Sequence, residues 1–152
     1  MMNLIRVFLG LCAAALLSAC GDGPITYLKI AGGGIAFNYR YSQASMIVIA
    51  QQKYPLPQGS IVEAQFDIPG TTARQTVTLP SMEGKITYKL QSDPLLHITK
   101  GGQYNVTIRL LDKDGKQLDR QDRIFVSDED QSTLPSKPLV EGLDFKPHLE
   151  NL

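Results

Sequence analysis

Four aspartates in one short segment have the residue type that a calcium site needs. The segment reads DKDG at 112–115, and Asp119 and Asp122 follow it. A calcium loop takes about six or more oxygen ligands from a pattern such as D-x-[DN]-x-[DN]-G that ends in a bidentate Glu. The third ligand of that pattern and the closing Glu are missing here. The segment therefore predicts a hairpin turn, with a weak cation site as the alternative.

The two histidines of the chain, His97 and His148, lie far apart in unlike sequence contexts. Zinc sites take three or four Cys, His or carboxylate ligands, and a copper site would have to add Met46 or Met82. A Ser/His/Asp triad would have to use His97, but no G-x-S-x-G turn accompanies it. We therefore expect no metal, no cofactor and no catalytic activity.

Composition excludes further classes of protein. The chain has 152 residues, with 15 Lys and Arg against 15 Asp and Glu, and its basic residues are scattered. This length suits one domain, and the charge distribution disfavours a nucleic-acid partner. The run Gly32-Gly33-Gly34 lacks the Lys-Ser/Thr and the helix of a phosphate-binding loop, so it predicts a hinge or a bulge.

The N-terminal sequence has the features of an export signal: MMNLIRVFLGLCAAALLSAC. One arginine precedes an apolar run of about eleven residues, too short for a membrane-spanning helix of roughly 20. The run closes on Leu17-Ser18-Ala19-Cys20, which resembles the lipobox of bacterial lipoproteins. In that family the chain is cut before the Cys, and the Cys is acylated with fatty acids such as palmitate. The resemblance implies a signal peptide over 1–19 and a lipid on Cys20; an ordinary secretory signal is the alternative.

The same resemblance implies a place in the cell. Cys12 would leave with the signal peptide and Cys20 would be acylated, so the exported domain would have no disulfide. The residue after the anchor is Gly21, whereas Asp at that position resembles an inner-membrane retention signal. We therefore expect a lipid-anchored protein of the cell envelope, on the outer membrane and facing the periplasm.

The rest of the chain has the two-residue period of half-buried strands. Apolar and polar residues alternate in 35–41, 62–68, 85–90 and 105–110. Turn signals separate these runs, at 57–59, 69–70, 83–84, 101–102 and 114–115. Seven or eight short strands without a helical stripe predict an all-β, antiparallel β-sandwich.

One segment of the chain is similar to a corner of immunoglobulin-like and fibronectin-type-III-like domains. There, a Tyr at the start of strand F sends its hydroxyl back to the upstream backbone, and Tyr104 matches that position. Asp114 and Gly115 match the favoured pair of the following hairpin turn, and strand G would cover 117–127. The resemblance covers about residues 45–128, and it implies an immunoglobulin-like fold rather than a function.

These patterns divide the chain into four parts. After the signal peptide, 20–34 would hold the anchor, a short strand and a glycine joint, with a second short strand following from Ile35. The sandwich domain would cover 35–128, and 129–152 would be a Pro-containing tail. The tail keeps several apolar residues, so it either packs on its own domain or binds a partner. Those of most interest as partner contacts are Leu139, Val140, Leu143 and Phe145.

The leading hypothesis is therefore a membrane-tethered, non-catalytic lipoprotein that serves an envelope assembly as a protein-interaction or structural module. Its partner would be another envelope protein, bound at an exposed sheet edge or through the tail. The alternatives are a lipoprotein that binds a glycan or a metal through loops at one end of the sandwich, and one that neutralises a toxin or an enzyme.

Overall fold

The computed structural model describes residue 23, residues 25–141 and residues 146–147 of the chain. Four residues singled out in the sequence lie outside the described residues. They are the predicted anchor Cys20, the predicted partner contacts Leu143 and Phe145, and the possible metal ligand His148.

Seven strands form two antiparallel sheets. A three-stranded sheet has the order β1-β2-β5, and a four-stranded sheet has the order β4-β3-β6-β7. The strands are β1 (Leu28–Asn38), β2 (Gln43–Gln52), β3 (Ile61–Asp67), β4 (Arg74–Pro80), β5 (Thr87–Gln91), β6 (Gln103–Leu111) and β7 (Gln117–Val126). A 3₁₀ helix (Gln131–Thr133) and two short paired strands, β8 (Val140–Glu141) and β9 (Lys146–Pro147), follow.

This arrangement confirms the predicted all-β sandwich of two antiparallel sheets. Alternate residues of both sheets meet in one core, in which Met46 and Tyr88 of one sheet and Phe66 and Ile108 of the other are fully buried. Constant-type immunoglobulin domains place four strands on the sheet of the first strand and three on the other. Here the division is reversed, because β4 pairs with β3 rather than with β5.

The N-terminal strand differs from the prediction. The sequence predicted a glycine joint between two short strands and a sandwich that starts at residue 35. Instead, β1 is one strand that runs through Gly32–Gly34 and pairs with β2 along its length. Ala31 is an extra residue that forms a bulge in this pairing. Gly33 is needed for packing, because it has φ +141°, and a Cβ there would lie 2.6 Å from the ring of Phe125 and would also meet the carbonyl oxygen of Ile47.

The two ends of the sandwich have different surroundings. We call the end where β1 begins the amino end. It consists of residues 25–27 and the loops 53–60, 81–86 and 112–116, which lead into β1, β3, β5 and β7, respectively. We call the opposite end the carboxyl end; it carries the β1–β2 turn, the segment 92–102 and the chain after β7.

The start of the tail is fixed to the carboxyl end. The side chain of Gln131 accepts a hydrogen bond from the N–H of Ile98 at 3.1 Å and donates one to the carbonyl of Leu95 at 3.0 Å. Its own N–H donates to the Ile98 carbonyl at 2.9 Å. Leu134 then packs against the hydrophobic core. Of the two possibilities for the tail, its described part packs on its own domain.

Candidate functional site

The outer edge of β7 carries backbone groups that no strand pairs with in the described part of the chain. The N–H of Ser127 donates to the carbonyl of Gly102 on the β6 side at 3.0 Å. Since hydrogen-bonding direction alternates along an antiparallel strand, the N–H and C=O groups of Asp122, Ile124 and Val126 point away from β6. No strand among the described residues pairs with this edge.

The first residues of β7 are closed off by Asp119. One carboxylate oxygen accepts a hydrogen bond from the N–H of Leu28 in β1 at 2.8 Å. The other accepts one from the N–H of Arg120 at 2.7 Å, a group that would otherwise face the open edge. The open stretch is therefore 122–126, about 13 Å of strand at roughly 3.3 Å per residue.

A groove lies beside this open stretch, between β7 and β1. It has a volume of about 560 Å³ and is lined on one side by Gly32–Gly34 and Phe37, and on the other by residues 123–126. Its volume is within the range of about 300–1,000 Å³ that is usual for ligand-binding clefts. Gly32 and Gly34 leave room on the β1 side for the backbone of an added strand, because nothing lies within 4 Å of a Cβ at either position.

Two apolar side chains flank the open edge on the outer face of the sheet. Ile124 and Val126 are each 54% exposed, and they follow a charged stretch at 119–123. Natural sheets protect free edges with charged residues. The edge of β7 carries such charges within 119–123, whereas Ile124 and Val126 carry none.

Much of the rest of that outer face is a polar network. Glu63, only 6% exposed, accepts hydrogen bonds from Nε and Nη2 of Arg109 at 2.8 and 2.5 Å. The hydroxyl of Thr107 accepts one from Arg74 at 3.0 Å and donates one to Asp122 at 2.6 Å. These groups link β3, β4, β6 and β7, and the buried Nε of Arg74 makes an ion pair but no hydrogen bond.

The charge of Asp122 is stabilised within this network. Hydrogen bonds from Arg120 and from Thr107 hold the pKa of Asp122 below its ordinary value, against a small opposing effect of burial. The hydrogen bond to Asp122 and the negative charge of Asp122 in turn raise the pKa of Arg120. Asp122 is thus an ionised residue at the beginning of the open edge at neutral pH.

The structure shows where the residues of the predicted corner and turn lie. The hydroxyl of Tyr104 accepts a hydrogen bond from the N–H of Thr99 at 2.9 Å. In the β6–β7 turn, Gly115 has φ +82°, a left-handed conformation that favours glycine. Asp114 is paired with its neighbour Lys113 at 2.8 Å.

Asp112 organises this turn, a role that was not predicted from the sequence. The carboxylate of Asp112 accepts hydrogen bonds from the N–H groups of Asp114 at 2.9 Å and Lys116 at 2.8 Å. An Asp at the first position of a turn commonly does this, so the signal was present in the sequence. Both hydrogen bonds are accepted by Oδ1 of Asp112, which closes the turn.

The remaining candidate ligands do not come together in the described residues. Met46 is buried in the core and Met82 is exposed at the amino end. His97 lies at the carboxyl end, with φ +62°. The described residues contain no group of three or more His, Cys, Asp or Glu placed to hold a metal ion. Among them there is also no helix of the length and hydropathy needed to cross a membrane.

Part of the predicted partner surface in the tail is occupied by the protein's own domain. The N–H of Leu139 donates to the carbonyl of Arg40 at 2.8 Å, and Val140 is buried. The hydroxyl of Ser42 donates to the carbonyl of Pro135 in the same region. The backbone of Leu139 is thus held at the β1–β2 turn, while its side chain is half-buried.

Comparison with known proteins identifies no family for this chain. No protein-family profile matches it, and no curated protein sequence matches it at a significant level. Among solved structures, it is similar to a family 76 glycoside hydrolase from a bovine Bacteroides thetaiotaomicron strain, with a TM-score of 0.45 and 12% sequence identity. The match covers 66% of this chain and 20% of the glycoside hydrolase chain, so this chain matches about a fifth of that protein's length.

Proposed function

We propose that this protein is a membrane-tethered, non-catalytic lipoprotein of the cell envelope, anchored through Cys20 on the outer membrane and facing the periplasm. Its sandwich binds an extended segment of another envelope protein, which adds as a strand to the outer edge of β7. The observation that carries this proposal is the open stretch 122–126 with the glycine-lined groove beside it. Strand addition at a free edge is a common mode of peptide recognition.

The geometry of the edge specifies the chemistry of the partner segment. Main-chain groups of Asp122, Ile124 and Val126 would hydrogen-bond to it, and alternate side chains would fall on opposite faces. Those on the outer face would lie beside Ile124 and Val126, so they should be apolar. Those on the other face would enter the groove beside Gly32 and Gly34, where small or apolar side chains would fit. Asp128 and Glu129 at the end of the groove favour a basic residue there.

Sheet-edge binding is favoured over tail binding for the described residues. The tail up to Val140 is held by hydrogen bonds and burial at the carboxyl end, whereas the edge of β7 has its backbone groups exposed. A partner using Leu139 or Val140 would first have to detach them from the sandwich. A partner at the β7 edge would leave these tail contacts in place.

Site-specific photo-crosslinking in the producing bacterium tests this proposal. A photoreactive residue at Ile124 in the full-length chain should give one dominant cross-linked envelope protein. The matched control is Thr78, exposed on β4 at the opposite edge of the same sheet, which should not cross-link to that protein. Ile124→Lys with Val126→Lys should abolish the complex, because Lys on an edge opposes pairing, and Thr78→Lys should leave it intact. Equal cross-linking from both edges would refute binding at β7.

The anchor has its own test. Cys20→Ser should prevent incorporation of labelled palmitate and release the protein from the membrane fraction, since stable attachment needs the acyl chains. Cys12→Ser, inside the proposed signal peptide, should change neither result. A Cys20→Ser protein that still incorporates palmitate and still sediments with the outer membrane would contradict the proposed anchor.

A further inference from the structure

Exposed apolar side chains are concentrated at the amino end of the sandwich. Nine large hydrophobic side chains are exposed in the described residues, and five of them lie at this end: Ile25, Tyr54, Ile61, Met82 and Ile86. The proposed strand-addition site on β7 does not include any of these five. Such a concentration on the surface of a soluble domain marks a contact with a partner or with lipid.

The loops at this end form one continuous surface. The N–H of Gln52 donates to the carbonyl of Ile86 at 2.9 Å, which ties the loop 81–86 to the end of β2. The loops 53–60 and 81–86 also line a common groove of about 550 Å³. The loop 81–86 contains a turn that is closed by the hydrogen bond from Lys85 N–H to the Met82 carbonyl at 3.1 Å. Gly84 lies in this turn at φ +75°. Tyr54, Met82 and Ile86 are 56%, 58% and 61% exposed.

Two lysines accompany these apolar side chains. Lys53 precedes Tyr54 in sequence, and the ammonium of Lys85 lies 5.1 Å from the ring centroid of Tyr88. Neither lysine is in an ion pair within the part of the chain that the structure describes. Tyrosines favour the interface between membrane and water, where one part of the ring is apolar and the hydroxyl is hydrated. Lysines beside them would meet the phosphates of anionic headgroups.

The position of the anchor determines which end of the domain is near lipid. Leu28 lies opposite Gln52 at the beginning of β1, and the N–H of Lys53 donates to the carbonyl of Tyr27 at 2.7 Å. Cys20 precedes Leu28 by eight residues, a segment that spans at most about 28 Å when fully extended. The carboxyl end is a strand length farther away, since the 11 residues of β1 add about 36 Å.

We propose that the amino end of the sandwich rests on the membrane that carries the lipid anchor. Tyr54, Met82 and Ile86 lie in the headgroup region, and Lys53 and Lys85 lie at anionic phosphates. This inference rests on the proposed lipidation of Cys20. It assigns the domain an upright orientation in which β1 and β7 run away from the bilayer, so that the strand-addition site at 122–126 stands clear of the lipid surface.

Quenching by spin-labelled lipids tests this orientation in the full-length, lipidated protein. The chain is reconstituted into phosphatidylethanolamine vesicles containing a quarter phosphatidylglycerol. Since Cys12 would leave with the signal peptide and Cys20 would be acylated, Met82→Cys introduces a single free thiol for a fluorescent label. The matched control is Leu96→Cys at the carboxyl end, where the native side chain is similarly exposed at 65%.

We expect several-fold stronger quenching at position 82 than at position 96. Tyr54→Ser with Ile86→Ser should reduce the quenching at position 82 without reducing vesicle flotation, and circular dichroism checks that the variants fold. Equal quenching at the two positions, in protein that floats with the vesicles, would overturn the proposed orientation but not the proposed anchor. The exposed apolar side chains of the amino end would then be interpreted as a contact with a protein partner. Protein that does not float would overturn the anchor and the orientation together.

Discussion

The carboxylate of Asp119 joins β1 to β7 by accepting a hydrogen bond from the N–H of Leu28 at 2.8 Å. These strands are the edges of two different sheets, and no ladder of main-chain hydrogen bonds links them in the described residues. Leu28 is almost fully buried, so its N–H would otherwise lack a partner. One side chain therefore closes the side of the sandwich at the beginning of both strands, and the groove at Gly32–Gly34 opens beyond it.

Replacing Asp119 should therefore weaken the fold. Asp119→Ala removes acceptors from the N–H groups of Leu28 and Arg120, and we expect the free energy of unfolding to fall by about 1–3 kcal/mol. Urea denaturation measures this. The control is Asp114→Ala, which removes only an exposed pair with Lys113 and should change stability by less than about 0.5 kcal/mol. Equal losses in the two variants would contradict the assigned role of Asp119.

Gly33 should be the most sensitive position of the glycine run. A Cβ there would meet the ring of Phe125 and the carbonyl of Ile47, at a positive φ that strains any side chain. We expect Gly33→Ala to lower the free energy of unfolding by about 2 kcal/mol or more. Gly34→Ala is the control, because nothing lies within 4 Å of a Cβ at that position. Thermal unfolding of both variants compares them directly, and similar midpoints would show that β1 does not approach Phe125 so closely.

The hydroxyl of Tyr104 should contribute measurably to stability. Tyr104→Phe leaves the N–H of Thr99 without its acceptor at a nearly buried site, and we expect a loss of about 1 kcal/mol in the free energy of unfolding. Tyr39→Phe provides the control, since the Tyr39 hydroxyl is exposed and lies 3.5 Å from its partner on Thr133. A loss in Tyr39→Phe as large as that in Tyr104→Phe would argue against the corner as a stabilising feature.

Asp122 should make stability depend on pH in the acidic range. Its pKa is lower in the folded protein than in the unfolded chain, so its contribution is present above the unfolded pKa and is lost as pH falls through the folded pKa. We expect the difference in unfolding free energy between wild type and Asp122→Asn to shrink as pH falls below about 4. Chemical denaturation across this range measures it. A difference that stays constant with pH would show that the ionised carboxylate makes no such contribution.

The sequence predicted the strands that have one buried and one exposed face. Val62, Ala64 and Phe66 alternate with polar residues and are all buried, as are Val106 and Ile108. β2 lacks this alternation, because it lies between β1 and β5 and its outward residues Ile47 and Ile49 are themselves half-buried. A continuous apolar run of this kind does not reveal which of its faces is inward.

The candidate site could not be predicted from the sequence. A two-residue period tells which side chains share a face, but it does not tell which strand lies at an edge. The opening at β7 depends on long-range relationships: Asp119 reaching Leu28, and Phe125 packing over Gly33. The glycine run was expected to be a hinge or a bulge, and the close packing of Gly33 within a strand could not be predicted because it depends on Phe125 of β7.

Amide hydrogen exchange of the partner complex tests strand addition most directly. The full-length chain is compared alone and with the envelope protein recovered through the cross-link at Ile124. We expect exchange at the amides of Ile124 and Val126 to slow at least tenfold in the complex, because these N–H groups become hydrogen-bonded to the added strand. Exchange at Thr76 and Thr78 on the opposite edge should not change. Protection confined to other segments, with Ile124 and Val126 exchanging at their free rates, would refute strand addition at β7.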